Sequence, residues 1–259
     1  MEINNRTFNL IIAVAIGFLV WMLLLFATLP FEKGSYFLRY IEAFGGSGKG
    51  YIQAICYAMA VFAWLELRAK RRDMKNEYGA FGLRLLPEQE HLVLSPHEVS
   101  DIKLSIIDME KKGIRYMLSG LIVKVCNQFR NNSSMGEAYT VLASQIKTSK
   151  EELEGDLAMT RYVIEAIPML GFIGTVIGLI DAILESKGML SINPADKEMT
   201  LGLVTDAFGM AFGTTLVALL LSLVLSRSYQ AYLGKLDIFF SKSENYIVEN
   251  LVSRVYDGK

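Results

Sequence analysis

AIPMLGFIGTVIGLIDAI at residues 166–183 and LGLVTDAFGMAFGTTLVALLLSLVLS at residues 201–226 are two long apolar segments separated by a short polar turn. At about 1.5 Å rise per residue, each crosses a hydrocarbon layer roughly 30 Å thick, so the pair reads as a helical hairpin in a membrane. Its polar content sets it apart. Thr175 sits mid-way along the first segment, Thr214 and Thr215 mid-way along the second, and Asp181 and Asp206 nearer the turn. With the threonines at one depth, Asp181 lies about 9 Å and Asp206 about 13 Å to the turn side, so the polar groups line up along the membrane normal. Two readings of the threonines are open. A membrane threonine often bonds its own preceding carbonyl or joins neighbouring helices; alternatively, the hydroxyls ring a cavity through which an ion passes.

Small residues accompany them. Gly171, Gly174 and Gly178 in the first helix, and Gly209, Ala211, Gly213, Ala218 and Ser222 in the second, let backbones approach closely. Gly174/Gly178 and Gly209/Gly213 are small-xxx-small pairs. Pro168 removes a backbone donor and bends the first helix below Thr175, which is tolerated where packed neighbours or water satisfy the freed carbonyl.

The segments GFIGTVIGLI (Gly171 to Ile180) and AFGTTLVALLLS (Ala211 to Ser222) resemble the last two membrane helices of the MotA/TolQ/ExbB family of ion-channel and stator subunits. Pro168 falls where those proteins carry a proline before a G-x-x-G-T segment, Thr175 on the pore threonine of that helix, and Thr215 on the pore threonine of the next. Ala218 stands where the family often has glycine. The resemblance implies that Thr175 and Thr215 are ring residues of an ion pathway, with Thr214 as a further candidate. It also implies a homopentamer around a dimer of a single-span MotB/ExbD/TolR-like subunit, whose membrane aspartate binds the ion beside the threonines. Inward ion flow then turns the pentamer around the dimer. A proton is the commoner ion in the family, although the adjacent threonines are similar to those of its sodium-driven members.

The composition fits a membrane protein with a sizeable aqueous portion. The 259 residues are 52% hydrophobic and 20% charged, with mean hydropathy +0.33. A net charge of -1 argues against a nucleic-acid binder, which carries a strongly basic face. Cys56 and Cys126 make no disulfide framework and read as reduced thiols.

Residues 8–29 form an uninterrupted apolar run between Arg6 and Pro30, too long for a signal-peptide core and without a convincing A-x-A cleavage site; it reads as a retained first span. Phe31 to Gly50 is a short external connection containing GGSGKG, and residues 51–67 are a shorter second span. Arg68, Lys70, Arg71, Arg72 and Lys75 follow at once, and under the positive-inside rule they lie in the cytoplasm with Arg161 and Arg227. Both termini are then cytoplasmic. A lipid- or nucleic-acid-binding use of the cluster adds nothing that the topogenic signal leaves unexplained.

Between the membrane hairpins the chain reads as helical. Ser95-Pro96-His97-Glu98 is a capping-box signature with proline at the first helical position, followed by Val99, Ile102, Ile106, Met109 and Ile114 near helical spacing. Ser134 to Glu137 opens another helix that meets no proline until Pro168, predicting one rod of about 45–50 residues, roughly 70 Å, through the third span; a break near Gly155 is the alternative. Asp108, Glu110, Lys111, Lys112 and Arg115 read as a solvated face. After the fourth span, Arg227 to Tyr256 sets Leu233, Leu236, Phe240, Ile247 and Leu251 near a heptad stripe, interrupted by Glu244, for packing against cytoplasmic helices.

Enzyme chemistry has no carrier. His91 and His97 lack partners at metal-ligand spacing, and neither a phosphate loop nor a Ser-His-Asp arrangement is visible. No catalytic residue, metal or cofactor is expected, only transported H+ or Na+. Asp181 and Asp206 near the outer interface, and Glu165 near the inner one, are candidates for the pathway mouths. No carboxylate sits at threonine depth, so a proton relay needs its titrating group from another chain.

The expected fold is an all-α integral membrane protein of four transmembrane helices with long helical cytoplasmic extensions. Its domains are an N-terminal membrane hairpin (1–67), a cytoplasmic helical domain (68–160), the pore hairpin (161–226, spans at about 162–184 and 201–226) and a C-terminal cytoplasmic helix (227–259). The resemblance implies the bacterial inner membrane, with swimming, outer-membrane energisation, gliding or phage defence as the process powered. A tetraspan scaffold without flux is the alternative.

Overall fold

The computed structural model describes residues 2–27, 41, 44, 45, 50–88, 93–132, 134–190 and 193–255. The external connection of Phe31 to Gly50 lies outside these residues except for 41, 44, 45 and 50; Pro30, His91 and Tyr256 lie outside them altogether. The helices are α1 (Glu2–Ala27), α2 (Tyr51–Glu77), α3 (Pro96–Lys111), α4 (Met117–Asn132), α5 (Met135–Asp156), α6 (Ala158–Glu185) and α7 (Pro194–Asn250). Among the described residues, α1, α2, α6 and α7 are long and apolar enough to cross a membrane.

The chain divides into two compact units: Met1–Arg68 with Ala158–Gln230, and Ala69–Leu157 with Ala231–Lys259. In the first, α1 and α2 approach so closely that a Cβ on Gly17 would lie 2.6 Å from the backbone of Ala58. Asn9 donates from Nδ2 to Oε1 of the buried Glu66 at 2.8 Å, which compensates a carboxylate that α2 carries at its apolar end.

The second unit has a soluble-type core. Leu118, Ile122 and Val125 of α4 pack with Val99 and Ile106 of α3, Leu142 of α5, and Ile247 and Leu251 of the C-terminal segment. The capping box at Ser95 forms as the sequence predicts: its Oγ accepts from the Glu98 amide, and its own amide donates to Glu98 Oε2 at 2.7 Å. The Ser95 backbone N–H, and then its hydroxyl, hold the Glu98 carboxyl below its usual range. Glu98 therefore stabilises α3 above the ordinary glutamate range, and this contribution is lost as pH falls through the depressed value. We expect Glu98→Gln to lower the melting temperature of this unit at pH 7 and the difference to shrink as pH falls through the depressed value; thermal melts of the full chain over an acid pH series would test it.

Three expectations change. Ile114 does not continue α3: the helix stops at Lys111, Gly113 takes φ +87°, and the amides of Gly113 and Ile114 donate to the carbonyls of Glu110 and Met109. This is a Schellman ending, which a glycine permits because it has no Cβ to strain. The long rod is interrupted at Leu157, between α5 and α6. There the amide turns back to the Glu154 carbonyl at 3.1 Å and the side chain is wholly buried, while Gly155 weakens the last turn. On α7 the buried stripe is Tyr232, Leu236, Phe239, Phe240, Ser243 and Ile247, with Leu233 only half-buried. Glu244 lies off that stripe, and its carboxylate accepts from Tyr139 Oη at 3.0 Å.

Candidate functional site

The α6–α7 crossing is built by glycine. A Cβ on Gly171 would lie 2.5 Å from Ala218 Cβ, one on Gly174 2.7 Å from Thr214 Cβ, and one on Gly178 2.9 Å from the Ala207 carbonyl oxygen. These three residues, spaced i, i+3 and i+7, share one face of α6. That face meets Ala207, Ala211, Thr214 and Ala218 of α7 in antiparallel order. Gly213 is buried in the same hairpin. Gly209 is not part of this contact: it is exposed, with nothing within 4 Å of an added Cβ, because it lies on the opposite side of α7.

Such proximity lets side chains of one helix reach carbonyls of the other. Thr215 Oγ1 donates to the Gly171 carbonyl across the interface at 2.9 Å, and Thr175 Oγ1 lies 3.1 Å from the Ala211 carbonyl. The Thr175 and Thr215 hydroxyls also bond directly to each other. Each hydroxyl has a single proton. With that of Thr215 committed to Gly171, the Thr175 proton goes to Ala211, to Thr215 or to the Gly171 carbonyl of its own helix at 3.3 Å, and hydroxyl lone pairs remain as acceptors. Both threonines are half-buried. The result is a compact set of oxygens, two hydroxyl and two carbonyl, in the middle of two apolar helices.

Thr214 stands apart from that pair. Its side chain is 1% exposed, donates to the Ala211 carbonyl of its own helix at 2.8 Å and is sealed against Gly174. Asp181 is half-buried and Asp206 exposed at the turn end of the hairpin, and Glu165 pairs with Arg161 at 2.9 Å on an exposed face. None of the three carboxylates reaches the threonine pair among the hydrogen bonds of the described residues. His97 lies outside the membrane helices, 3.0 Å from the exposed Asp101.

Pro168 stands inside α6 and leaves the Ile164 carbonyl without its usual amide donor four residues on. Ser222 of α7 supplies the substitute, its Oγ donating to that carbonyl at 3.3 Å. The sequence marks Ser222 only as a small residue, and its second role needs the register of the crossing, which follows from Gly171 opposite Ala218. Ser222→Ala should destabilise the hairpin by about 1 kcal/mol. In a Pro168→Ala background, where the amide donor returns, the same change should cost much less; detergent unfolding of the four proteins in this cycle measures the coupling.

Fold and site together define a multi-pass helical membrane protein in which two adjacent spans join hydroxyls to carbonyls at mid-depth. The description of the MotA/TolQ/ExbB proton channel family matches residues 110–244, which include α4, α5, α6 and most of α7. The chain belongs to this family, which is a channel family and not an enzyme family. No curated protein and no solved structure matches the chain.

Proposed function

We propose that this chain is the ion-conducting stator subunit of a rotary motor in the bacterial inner membrane, with both termini cytoplasmic. It assembles as a homopentamer around a dimer of a single-span MotB/ExbD/TolR-like subunit. The titrating carboxylate is the membrane aspartate of that partner, since this chain has none at threonine depth. The observation that carries the reading is the half-buried Thr175–Thr215 pair with the Gly171 and Ala211 carbonyls. Within a dry bilayer such oxygens lower the cost of a passing cation by replacing part of its hydration. The proton is the ion proposed: the extra hydroxyl that would favour sodium belongs to Thr214, which is bonded and sealed inside the helix interface. Membership of a proton channel family agrees. Asp181, Asp206 and Glu165 serve at most to attract ions at the mouths.

The same hydrogen bonds favour one rival, a scaffold without flux, because each threonine hydroxyl already ties α6 to α7. Thr215→Val separates the two. Valine keeps the volume and loses the hydroxyl, so the assembly should persist while ion flux with the partner subunit falls roughly tenfold, the equivalent of about 1.4 kcal/mol. Flux into liposomes and assembly size are measured on one preparation. Unchanged flux in an intact assembly overturns the conducting reading.

A further inference from the structure

The positive-inside rule accounts for the number of basic residues that close the apolar run of α2, but it is indifferent to the face that each one takes. Lys70 turns inward, 16% exposed, and pairs with Asp156 at 2.8 Å. Arg68 turns outward. Its guanidinium carbon lies 5.1 Å from the centroid of the Trp64 ring, one turn earlier on the same face, and Trp64 is itself 45% exposed. The nearest carboxylate along the helix, Glu66, is buried and takes the Asn9 amide. Arg68 forms no ion pair among the described residues.

We propose that Trp64 and Arg68 form a binding site for the phosphodiester of an anionic phospholipid headgroup, in the leaflet at that end of α2. Depth selects this occupant. Arg68 lies about 25 Å along the helix from Tyr51, and Trp64 about 6 Å nearer the bilayer centre. The hydrocarbon layer is roughly 30 Å thick and each headgroup layer adds roughly 5–8 Å. The indole therefore sits at the interface where membrane proteins concentrate tryptophan, and the guanidinium reaches the level of the lipid phosphates. Chemistry selects the same occupant. An arginine seated on a ring still offers N–H donors in a planar fork, which fits two oxygens of a phosphate. A choline-type headgroup brings its own cation, which the arginine repels, so a lipid with net negative charge is preferred. This site stands whether or not the hairpin conducts.

The test is native mass spectrometry of the complete assembly released from bilayers of equal parts phosphatidylglycerol and phosphatidylcholine. The parent chain should retain phosphatidylglycerol in preference. Arg68→Gln should cut that preference about tenfold, as expected for loss of one charge-assisted bidentate contact. Trp64→Leu should cut it several-fold with every charge kept, and Arg68→Lys should restore only part of it, because an ammonium has no fork. The control is Arg72→Gln, which removes the same charge from the same basic run at an exposed position; there the preference should stay within about twofold. Both site residues are exposed, and four basic residues remain in Arg68→Gln to hold the orientation of α2, so neither change should disturb folding or topology. Equal retention of the two lipids by the parent, an unchanged preference in Arg68→Gln or in Trp64→Leu, equal losses from Arg68→Gln and Arg72→Gln, or release of the lipid by inorganic phosphate would each overturn the proposal.

Discussion

Leucine at Gly178 should abolish the α6–α7 hairpin and, with it, any assembly. A Cβ at this position already lies 2.9 Å from both the Ala207 carbonyl oxygen and Ala211 Cα, and 2.6 Å from Ala211 Cβ. Two of those atoms are backbone and cannot rotate away. The helices must separate, and separation removes the cross-helix bonds from Thr215 to Gly171 and between Thr175 and Thr215. Overpacking of this kind costs about 3 kcal/mol or more, and close backbone approach is the main source of association for helices already in lipid. Gly174→Leu should behave alike, because its Cβ would meet Thr214. The control is Gly209→Leu: nothing lies within 4 Å there, so the hairpin should fold as in the parent chain. Detergent unfolding and size-exclusion profiles read the outcome. Wild-type behaviour of Gly178→Leu would mean that the crossing is looser than the glycine contacts require.

The second large effect is expected in the other unit. Phe239 is fully buried, with its ring 5.4 Å from Tyr78, 5.9 Å from Phe81 and 5.5 Å from Phe240, each in an edge-on arrangement. Truncation to alanine removes both the buried ring and these aromatic contacts, and the surrounding rings cannot all collapse into the gap. Phe239→Ala should therefore destabilise this unit by about 3–5 kcal/mol. Hydrogen exchange over α4 and α5 should accelerate accordingly, because their core shares the α7 residues Tyr246 and Ile247. Phe239→Leu should recover part of the loss. Unaltered exchange in the alanine variant would show that the aromatic cluster is dispensable.

Much of the molecule is legible before folding because its strongest signals are local. An apolar run long enough for a bilayer needs no tertiary partner to be recognised, and four such runs appear where the structure has helices. The capping box at Ser95 is equally local, since its bonds span only three residues. The motifs around Thr175 and Thr215 also identify the family from short stretches, and the matched region contains both. The phase of a helix face is harder. Leu233 and Tyr232 are neighbours in sequence, yet only the second enters the core fully, because the stripe on α7 is set by what packs beside it.

What the sequence determined by itself was therefore the class: membrane helices, small residues that allow two of them to approach, and hydroxyls at mid-depth. Only the tertiary structure decided which hydroxyls meet. Thr214 and Thr215 differ by about 100° around one helix axis, and that rotation sends the first into the glycine interface and the second to Thr175 and the Gly171 carbonyl. The same register brings Ser222 to the carbonyl that Pro168 leaves free. The break at Leu157 falls two residues after Gly155, where the sequence offered a break as the alternative to a continuous rod, and the structure adds that the leucine side chain is wholly buried there. Local sequence gives a helix its length and character and, through glycines such as Gly113, its end; its rotation is set by the surfaces it packs against.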